Sequence, residues 1–254
     1  MNNIDVSISY GFGPDNRYKL SNTPESIQLA IYKYSIYESM RDEMISEIHT
    51  GNINVNAVHL PLDTLKTEPS KIMVMIEDLM AETNCKKYVI HPNKNIERFV
   101  DHFIPFSPKD TILCIENFQW KRKKVFRSPL QTIEFIHYLR HSYGYENVYN
   151  KLRLCFDTSH AEDIWFDYKI MSHLLNYIDV IHLSNRKGKS QHMPFNSDGC
   201  DLNLVGFIKE LISRYKWYGD IVLEYMPEYH HRLVPNAQYI KKLINERSIK
   251  KDRK

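Results

Sequence analysis

Residues 152–160 read LRLCFDTSH, and this stretch decides the fold that we predict for the chain. Its apolar start is typical of a buried β-strand, and the strand ends on Asp157, with His160 three residues later. A carboxylate and an imidazole just beyond a buried strand are poorly placed for packing and well placed to bind a cation. Five other apolar runs end on one residue that can bind a metal: His59, His91, Glu116, His182 and Glu224. We expect these six strand ends to converge on one site.

Amphipathic helical patterns separate the apolar runs. Residues 70–84, for example, place Ile72, Met75, Ile76 and Leu79 on one helical face. Apolar strands that alternate with amphipathic helices indicate a parallel sheet covered by helices. Eight such units in 254 residues match a closed (β/α)8 TIM barrel, in which functional residues lie at the carboxyl ends of the strands. We predict one domain over residues 1–254, with residues 248–254 as a frayed basic tail.

The first fifth of the chain has a less decisive pattern. Residues 4–9 alternate between apolar and polar side chains and predict the first strand. Residues 23–25 (TPE) have the features of a helix start, and the apolar residues up to Ile31 continue a helical face. Residues 34–37 (YSIY) fit either a continuation of that helix or a short strand. We adopt the strand because it completes a count of eight, and we predict the next helix over residues 40–49.

Composition restricts the class of protein. The formal net charge of +3 is too small to indicate nucleic-acid binding by itself, and the hydrophobic fraction of 43% supports a core. The four cysteines form no C-x-x-C pair, which favours reduced thiols. No apolar run approaches the roughly 18 residues of a membrane span, and the N-terminus lacks the features of a signal peptide. We therefore expect a cytoplasmic protein without a membrane partner.

Two basic clusters follow predicted strands and should border the open end of the barrel. The first is residues 121–124 (KRKK) after Glu116, and the second is residues 186–189 (RKGK) after His182. Positive charge there favours a phosphate, on a sugar or in a nucleic-acid backbone, although solvated loops of a lysine-rich protein are the alternative. The candidate phosphate ligands are Lys121, Arg122, Arg186 and Lys189. A later loop histidine, His192, can lie over the same opening.

Seven short motifs occur in a characteristic order along the chain. They are VHLP (58–61), IHP (90–92), IEN (115–117), FDTSHA (156–161), IHL (181–183), HMP (192–194) and LE (223–224). In this order and spacing the sequence resembles the xylose-isomerase-like TIM barrels. That superfamily contains sugar and sugar-phosphate isomerases and epimerases, and also the endonuclease IV type of apurinic/apyrimidinic (AP) endonuclease, called AP endonuclease family 2.

For the epimerase branch, the resemblance implies one divalent ion held by Glu116, Asp157, His182 and Glu224. The two glutamates would also be the catalytic residues, moving protons at the carbon next to a carbonyl. This chemistry suits the arrangement, because the metal polarises oxygen atoms while a carboxylate on each face of the substrate takes and returns the proton.

For the endonuclease branch, the resemblance implies three zinc ions. His59, His91 and Glu116 would hold one ion, and Glu116 would bridge to a second ion bound by Asp157, His182 and Glu224. His160 and His192 would hold the third, together with an aspartate two residues before His192. This chain has Ser190 at that position, and it lacks the tyrosine-bearing insertion with which such enzymes open DNA.

These departures favour a metal-dependent isomerase or epimerase that acts on a small sugar or sugar phosphate. The alternative is a zinc-dependent phosphodiesterase that acts on AP-site DNA, and a further alternative is a barrel that binds metal without catalysis. The predicted cofactor is a divalent metal, namely one to three ions of zinc, manganese, cobalt or magnesium.

Overall fold

The computed structural model describes residues 4–12, 25–117, 128–144, 148 and 150–251. Within these residues, eight parallel strands close into a barrel in the order β1-β2-β3-β4-β5-β6-β7-β10. The barrel strands are β1 (Ile4–Phe12), β2 (Ser26–Ile31), β3 (Asn54–His59), β4 (Lys87–Ile90), β5 (Ile112–Glu116), β6 (Leu152–Asp157), β7 (Ile178–Leu183) and β10 (Gly219–Leu223). An antiparallel hairpin of β8 (Asn185–Lys187) and β9 (Ser190–Met193) follows β7. The predicted (β/α)8 TIM barrel is confirmed.

Helices cover the outside of the barrel. They are α1 (Tyr34–Thr50), α2 (Pro69–Thr83), α3 (Ile96–Phe106), α4 (Pro129–Tyr143), α5 (Tyr168–Leu174), α6 (Leu204–Glu210) and α7 (Leu233–Lys251). Because α7 continues to Lys251 and residues 252–254 lie outside the described residues, the frayed tail stays a prediction. None of the described helices has both the length and the apolar character needed to cross a membrane.

The two assignments near the N-terminus are wrong. Residues 26–31 form strand β2 instead of a helix, and residues 34–37 begin helix α1 instead of forming a strand. Strand β2 pairs with β1 on one side and β3 on the other, and these pairings exist only in the closed barrel. In a run of six residues, apolar side chains at both helical and strand spacing are compatible with either structure. Strand β2 is therefore the eighth strand.

The apolar runs that carry the predicted ligands predict strands over residues 55–60, 88–91, 111–116, 152–157, 179–183 and 220–225. The six observed strands lie within two residues of these bounds. The sequence pattern predicts one helix over residues 163–177, and in the structure this segment is divided into a 3₁₀ turn (Asp163–Phe166) and α5. The division occurs at Asp167, whose carboxylate accepts hydrogen bonds from the backbone N–H groups of Lys169 and Ile170. Such a carboxylate stabilises a helix N-terminus, so a new helix begins there.

The barrel interior is layered. Its middle layer consists of small apolar side chains from five strands: Val89, Cys114, Cys155, Val180 and Val222. Toward the amino-terminal ends of the strands, Lys87 Nζ lies 2.9 Å from the carboxylate of Asp220. The predicted metal ligands lie at the opposite, carboxyl ends. The apolar layer therefore separates the candidate site from the other end of the barrel, as in other TIM barrels with filled interiors.

Candidate metal centre

The six predicted ligands occupy equivalent positions at the carboxyl ends of their strands. His59, Glu116 and Asp157 end β3, β5 and β6, His182 lies in β7, and His91 and Glu224 directly follow β4 and β10. Side chains alternate between the two faces of a strand, so neighbouring apolar residues such as Val58 and Ile115 pack under the helices. The ligands themselves point into the barrel. The structure therefore brings all six together.

The first group of ligand atoms consists of His59, His91 and Glu116. Glu116 Oε2 lies 3.4 Å from His59 Nε2 and 3.2 Å from His91 Nε2. The two imidazole nitrogens lie 3.2 Å apart. His59 Nδ1 contacts the backbone oxygen of Leu60 at 3.0 Å, which orients the ring so that Nε2 faces the site.

The second group consists of Asp157, His182 and Glu224. His182 Nδ1 lies 2.8 Å from Glu224 Oε2 and 4.0 Å from Asp157 Oδ2. The same nitrogen lies 3.5 Å from Glu116 Oε2. Glu116 therefore stands between the first and second groups, where one carboxylate can bind to two ions.

The third group consists of Asp157, His160 and His192. Asp157 Oδ2 lies 3.8 Å from His160 Nε2 and 4.0 Å from His192 Nδ1. His192 belongs to β9 and has a left-handed backbone with φ 55°, which is unusual for a residue other than glycine. Its carbonyl accepts a hydrogen bond from the N–H of Met226. The β8–β9 hairpin is thus attached to the segment after β10, and His192 is held over the site. Ser190 is exposed.

The DTSH motif positions Asp157 by local hydrogen bonds. Oδ1 accepts from the backbone N–H and hydroxyl of Ser159, at 2.7 and 2.8 Å, and from the N–H of His160 at 3.1 Å. Asn117 exchanges two further hydrogen bonds with the Asp157 backbone. One carboxylate oxygen is therefore fixed by its own turn, while Oδ2 faces the second and third groups.

The donor set fits divalent ions. Two atoms bound tetrahedrally at roughly 2.1 Å from one zinc ion lie about 3.4 Å apart, and most ligand separations in the first group are close to this value. Within the described part of the chain, Asp157 Oδ2 is buried without a hydrogen bond, and His182 Nδ1 is buried among carboxylates, with Glu224 Oε2 at 2.8 Å. Buried polar atoms normally have partners, so these two atoms fit a site that a cation completes. Imidazole and carboxylate ligands suit zinc, manganese and cobalt.

The electrostatics of the cluster favour ionised carboxylates. Burial by itself would raise the pKa of Glu116, but the neighbouring charges of His91 and His182 hold that pKa well below its usual range. For Glu224, burial again opposes ionisation, and His182 lowers the pKa. For His182, burial lowers the pKa, yet Cys155, Glu224 and Glu116 together raise it well above its usual value. The carboxylates of Glu116 and Glu224 are therefore available as ligands at neutral pH.

The predicted phosphate ligands are not gathered in the same way. Lys121 and Arg122 lie outside the described residues, and Lys189 is exposed at the tip of the hairpin. The Arg186 guanidinium donates to the carbonyl of Ala161 and lies 2.6 Å from the carboxylate of Asp163. A phosphate would have to compete with that carboxylate for Arg186. The role of these four residues stays a prediction.

Two site residues were missed at the level of sequence. Gln28 Oε1 lies 2.9 Å from His182 Nε2, and Cys155 Sγ lies within 4.8 Å of ligand atoms of Glu116 and His182. Gln28 could not be recognised from the sequence because the pattern around it predicts a helix, and the side chain points into the barrel only when the segment is strand β2. The only signal was a polar residue inside the apolar run SIQLAI. Cys155 lies inside the apolar run LRLCF, which predicts a buried thiol, and its position in the interior layer agrees with that prediction.

Comparison with solved structures shows where the fold belongs. A xylose isomerase-like TIM barrel protein from Mycobacterium smegmatis, in complex with magnesium, superimposes with a TM-score of 0.63 at 10% identity over 96% of this chain and 97% of that chain. An AP endonuclease, family 2, from Brucella melitensis superimposes with a TM-score of 0.61 at 13% identity over 89% of this chain and 93% of that chain. The fold is that of the xylose-isomerase-like TIM barrels. The resemblance inferred from the strand-end motifs is thereby confirmed at the level of the fold.

Sequence comparison finds a distant curated relative of the chain. A probable endonuclease 4 from Mycoplasmoides gallisepticum is 24% identical over 205 residues, which cover 66% of this chain. The match spans 64% of the length of that relative. No family model matches the chain. At these identities the solved structures show the fold alone, and isomerases and AP endonucleases both occur among the barrels of this kind.

Proposed function

We propose that this protein is a metal-dependent phosphodiesterase of the endonuclease IV type that cleaves DNA at AP sites. The observation that carries the proposal is the third ligand group, in which Asp157 Oδ2 lies 3.8 Å from His160 Nε2 and 4.0 Å from His192 Nδ1. A single-ion isomerase needs neither histidine as a ligand. The curated relative named probable endonuclease 4 supports the same reading. We therefore place the phosphodiesterase before the isomerase that the sequence motifs favoured.

The charge of the site also supports a phosphodiester substrate. Nine of the described side chains could contribute ligand atoms, and three of them are carboxylates: Glu116, Asp157 and Glu224. One divalent ion among three carboxylates would leave the centre negative, and it would repel a phosphate. Three divalent ions would leave it positive, and they would attract a phosphate from solution. The number of ions and the substrate class are therefore linked.

The residues of the chain would divide the work as follows. The first group would hold one ion through His59, His91 and Glu116. The second group would hold another through Asp157, His182 and Glu224. The third ion would be held by His160 and His192 together with Asp157. Bound divalent ions supply Lewis-acid activation of a nucleophile and neutralise charge on a phosphoryl group. Glu116, which lies between the first and second groups, and Asp157, which belongs to the second and third, would fix the spacing between ions. The Ser159 and Asn117 hydrogen bonds would keep Asp157 oriented throughout the reaction.

A second candidate is an isomerase or epimerase of a small sugar. It is favoured by the cavity of about 200 Å³ beside the site, which is lined by Tyr32, His59, His91, Glu224 and His230 among others. This volume is below the usual range for pockets that enclose drug-sized ligands and suits a small sugar. Under this function, Glu116 and Glu224 would transfer protons next to a carbonyl while the second group holds one ion.

The decisive experiment combines a metal count with two assays on the full chain. Inductively coupled plasma mass spectrometry of protein purified without chelators should give three ions per chain. A labelled DNA duplex with one tetrahydrofuran abasic analogue should be nicked, and an intact duplex should not. His160→Asn should lower the count to two, whereas His102→Asn, in a histidine of α3 outside the site, should leave it at three.

The same preparation tests the alternative. A panel of ketoses and aldoses in D₂O, followed by NMR, reports deuterium incorporation next to the carbonyl. The isomerase would be supported instead of the phosphodiesterase if the chain binds one ion, does not nick the abasic duplex and catalyses deuterium exchange next to the carbonyl. Bound metal without either activity would indicate a barrel that binds metal without catalysis.

A further inference from the structure

Gln28 is a fully buried amide in the interior of the barrel. It lies in β2, between Ser9 of β1 and Ala57 of β3 in the strand register, and its relative exposure is 0%. Its Oε1 lies 2.9 Å from Nε2 of His182 on β7. Strands β2 and β7 are separated by β1 and β10 in the barrel. The contact therefore spans the interior instead of following a strand pairing.

The hydrogen bonding of Gln28 is incomplete. Its Nε2 group is buried and makes no hydrogen bond to any described residue. An unsatisfied buried polar group lowers the stability of a fold, and an apolar side chain of similar shape would avoid this cost. Packing therefore does not account for a glutamine at this position. The hydrogen bond between its side-chain oxygen and His182 does.

The oxygen of Gln28 can only accept a hydrogen bond, so His182 Nε2 must carry the proton that it accepts. In the neutral ring, Nδ1 is then the nitrogen with the lone pair. That nitrogen faces three carboxylates, at 2.8 Å from Glu224, 3.5 Å from Glu116 and 4.0 Å from Asp157. Carboxylates also only accept. Beside three carboxylates, Nδ1 must carry either a second proton, as in the imidazolium, or a cation, and a bound divalent ion would take the place of that proton.

We propose that Gln28 is a positioning residue for the metal centre: its side-chain oxygen fixes the tautomer and orientation of His182, so that Nδ1 is presented as a metal ligand. A partner of this kind on the second ring nitrogen is a general requirement of metal-binding histidines. The inference rests on the metal centre of the proposed function but not on which reaction that centre performs.

The test compares two substitutions of Gln28 in the full chain. Gln28→Met keeps the length of the side chain but removes the acceptor, and Gln28→Glu keeps the acceptor. Zinc affinity is measured by competition with a chromophoric chelator, and unfolding in urea is measured in the presence of EDTA. Gln131→Met, on the surface of α4, is the matched control and should change neither quantity.

We expect Gln28→Met to lower the affinity for the zinc ion at His182 by about 10- to 100-fold. The same variant in EDTA should be as stable as the wild type or more stable, because an unsatisfied amide has been removed. Gln28→Glu should retain zinc affinity within a few-fold. A residue with a purely structural role would give the opposite pattern, with lower stability in EDTA and unchanged zinc affinity.

Nitrogen-15 NMR of the zinc-loaded wild type gives an independent readout, in which the His182 proton should be on Nε2. The inference is overturned if Gln28→Met binds zinc as tightly as the wild type, or if the loaded ring carries its proton on Nδ1. If the proposed metal centre does not exist, the wild type itself binds no zinc, and the inference about Gln28 is overturned as well. Zinc binding without nicking activity would overturn only the phosphodiesterase.

Discussion

Replacement of Glu116 by glutamine tests the sharing of one carboxylate between two ions. Glu116 is 1% exposed, and its Oε2 atom lies within 3.5 Å of nitrogens of His59, His91 and His182. Glutamine has almost the same volume, so the substitution creates no cavity and removes only the charge. It weakens the His59 group and the His182 group together, while the His160 group keeps all its ligands.

The magnitude follows from the linkage between binding and folding. An ion present at 100 times its dissociation constant stabilises the folded state by about 2.7 kcal/mol. In a domain of this size each kcal/mol raises Tm by roughly 2–4 °C, so each independent ion contributes about 5–10 °C. We expect zinc to raise the Tm of the wild type by about 15–30 °C relative to EDTA, and that of Glu116→Gln by about 5–10 °C.

Differential scanning calorimetry with zinc and with EDTA provides the two Tm values, and a metal count on the same samples should fall from three ions to one. Glu77→Gln, on the exposed side of α2, is the control and should match the wild type. The reasoning is refuted if Glu116→Gln loses only one ion and about one third of the zinc-dependent shift, because the carboxylate would then serve a single ion.

Three further predictions concern single positions. Ser190→Asp should tighten binding of the third ion by about tenfold or more, since it adds a carboxylate next to the His192 segment; a zinc titration that shows no change would contradict this. Burial of Asp220 raises its pKa in the folded protein to about 6, above the value of roughly 4 in the unfolded chain. Asp220 therefore contributes stability in its protonated form at low pH, and this contribution is lost as the pH rises through about 6. In EDTA, the free energy of unfolding of the wild type should fall by on the order of 2–3 kcal/mol between pH 4 and 7 because of Asp220, and that of Asp220→Asn should not show this part of the fall. Parallel pH profiles of the two proteins would refute the assignment. Gly219 has φ 151°, and a Cβ there would lie 2.5 Å from the Trp217 ring, so Gly219→Ala should cost about 2 kcal/mol or more in urea unfolding; a neutral result would show that Trp217 can move aside.

The strand-end residues were predictable because their signal is local. A buried strand of a parallel sheet is apolar along its whole length, so a single His, Asp or Glu at its end stands out without any knowledge of its neighbours. The run LRLCFD with its terminal Asp157 shows this most clearly, since its predicted and observed bounds are identical. The barrel followed from counting such runs and the helices between them.

Strand β2 and Gln28 were not predictable in the same way. The segment SIQLAI satisfies both helical and strand spacing, and only its pairing with β1 and β3 decides between them. Gln28 and His182 are 154 residues apart in the chain, and no local pattern connects them.

The sequence by itself therefore determined the alternation of strands and helices and the residue types at the strand ends, because both depend on neighbours along the chain. Only the tertiary structure decided which of those side chains share an ion, which hydrogen bonds orient them, and that the hairpin carries His192 to Asp157. These features depend on closure of the barrel, which places atoms from distant segments within a few ångströms of one another.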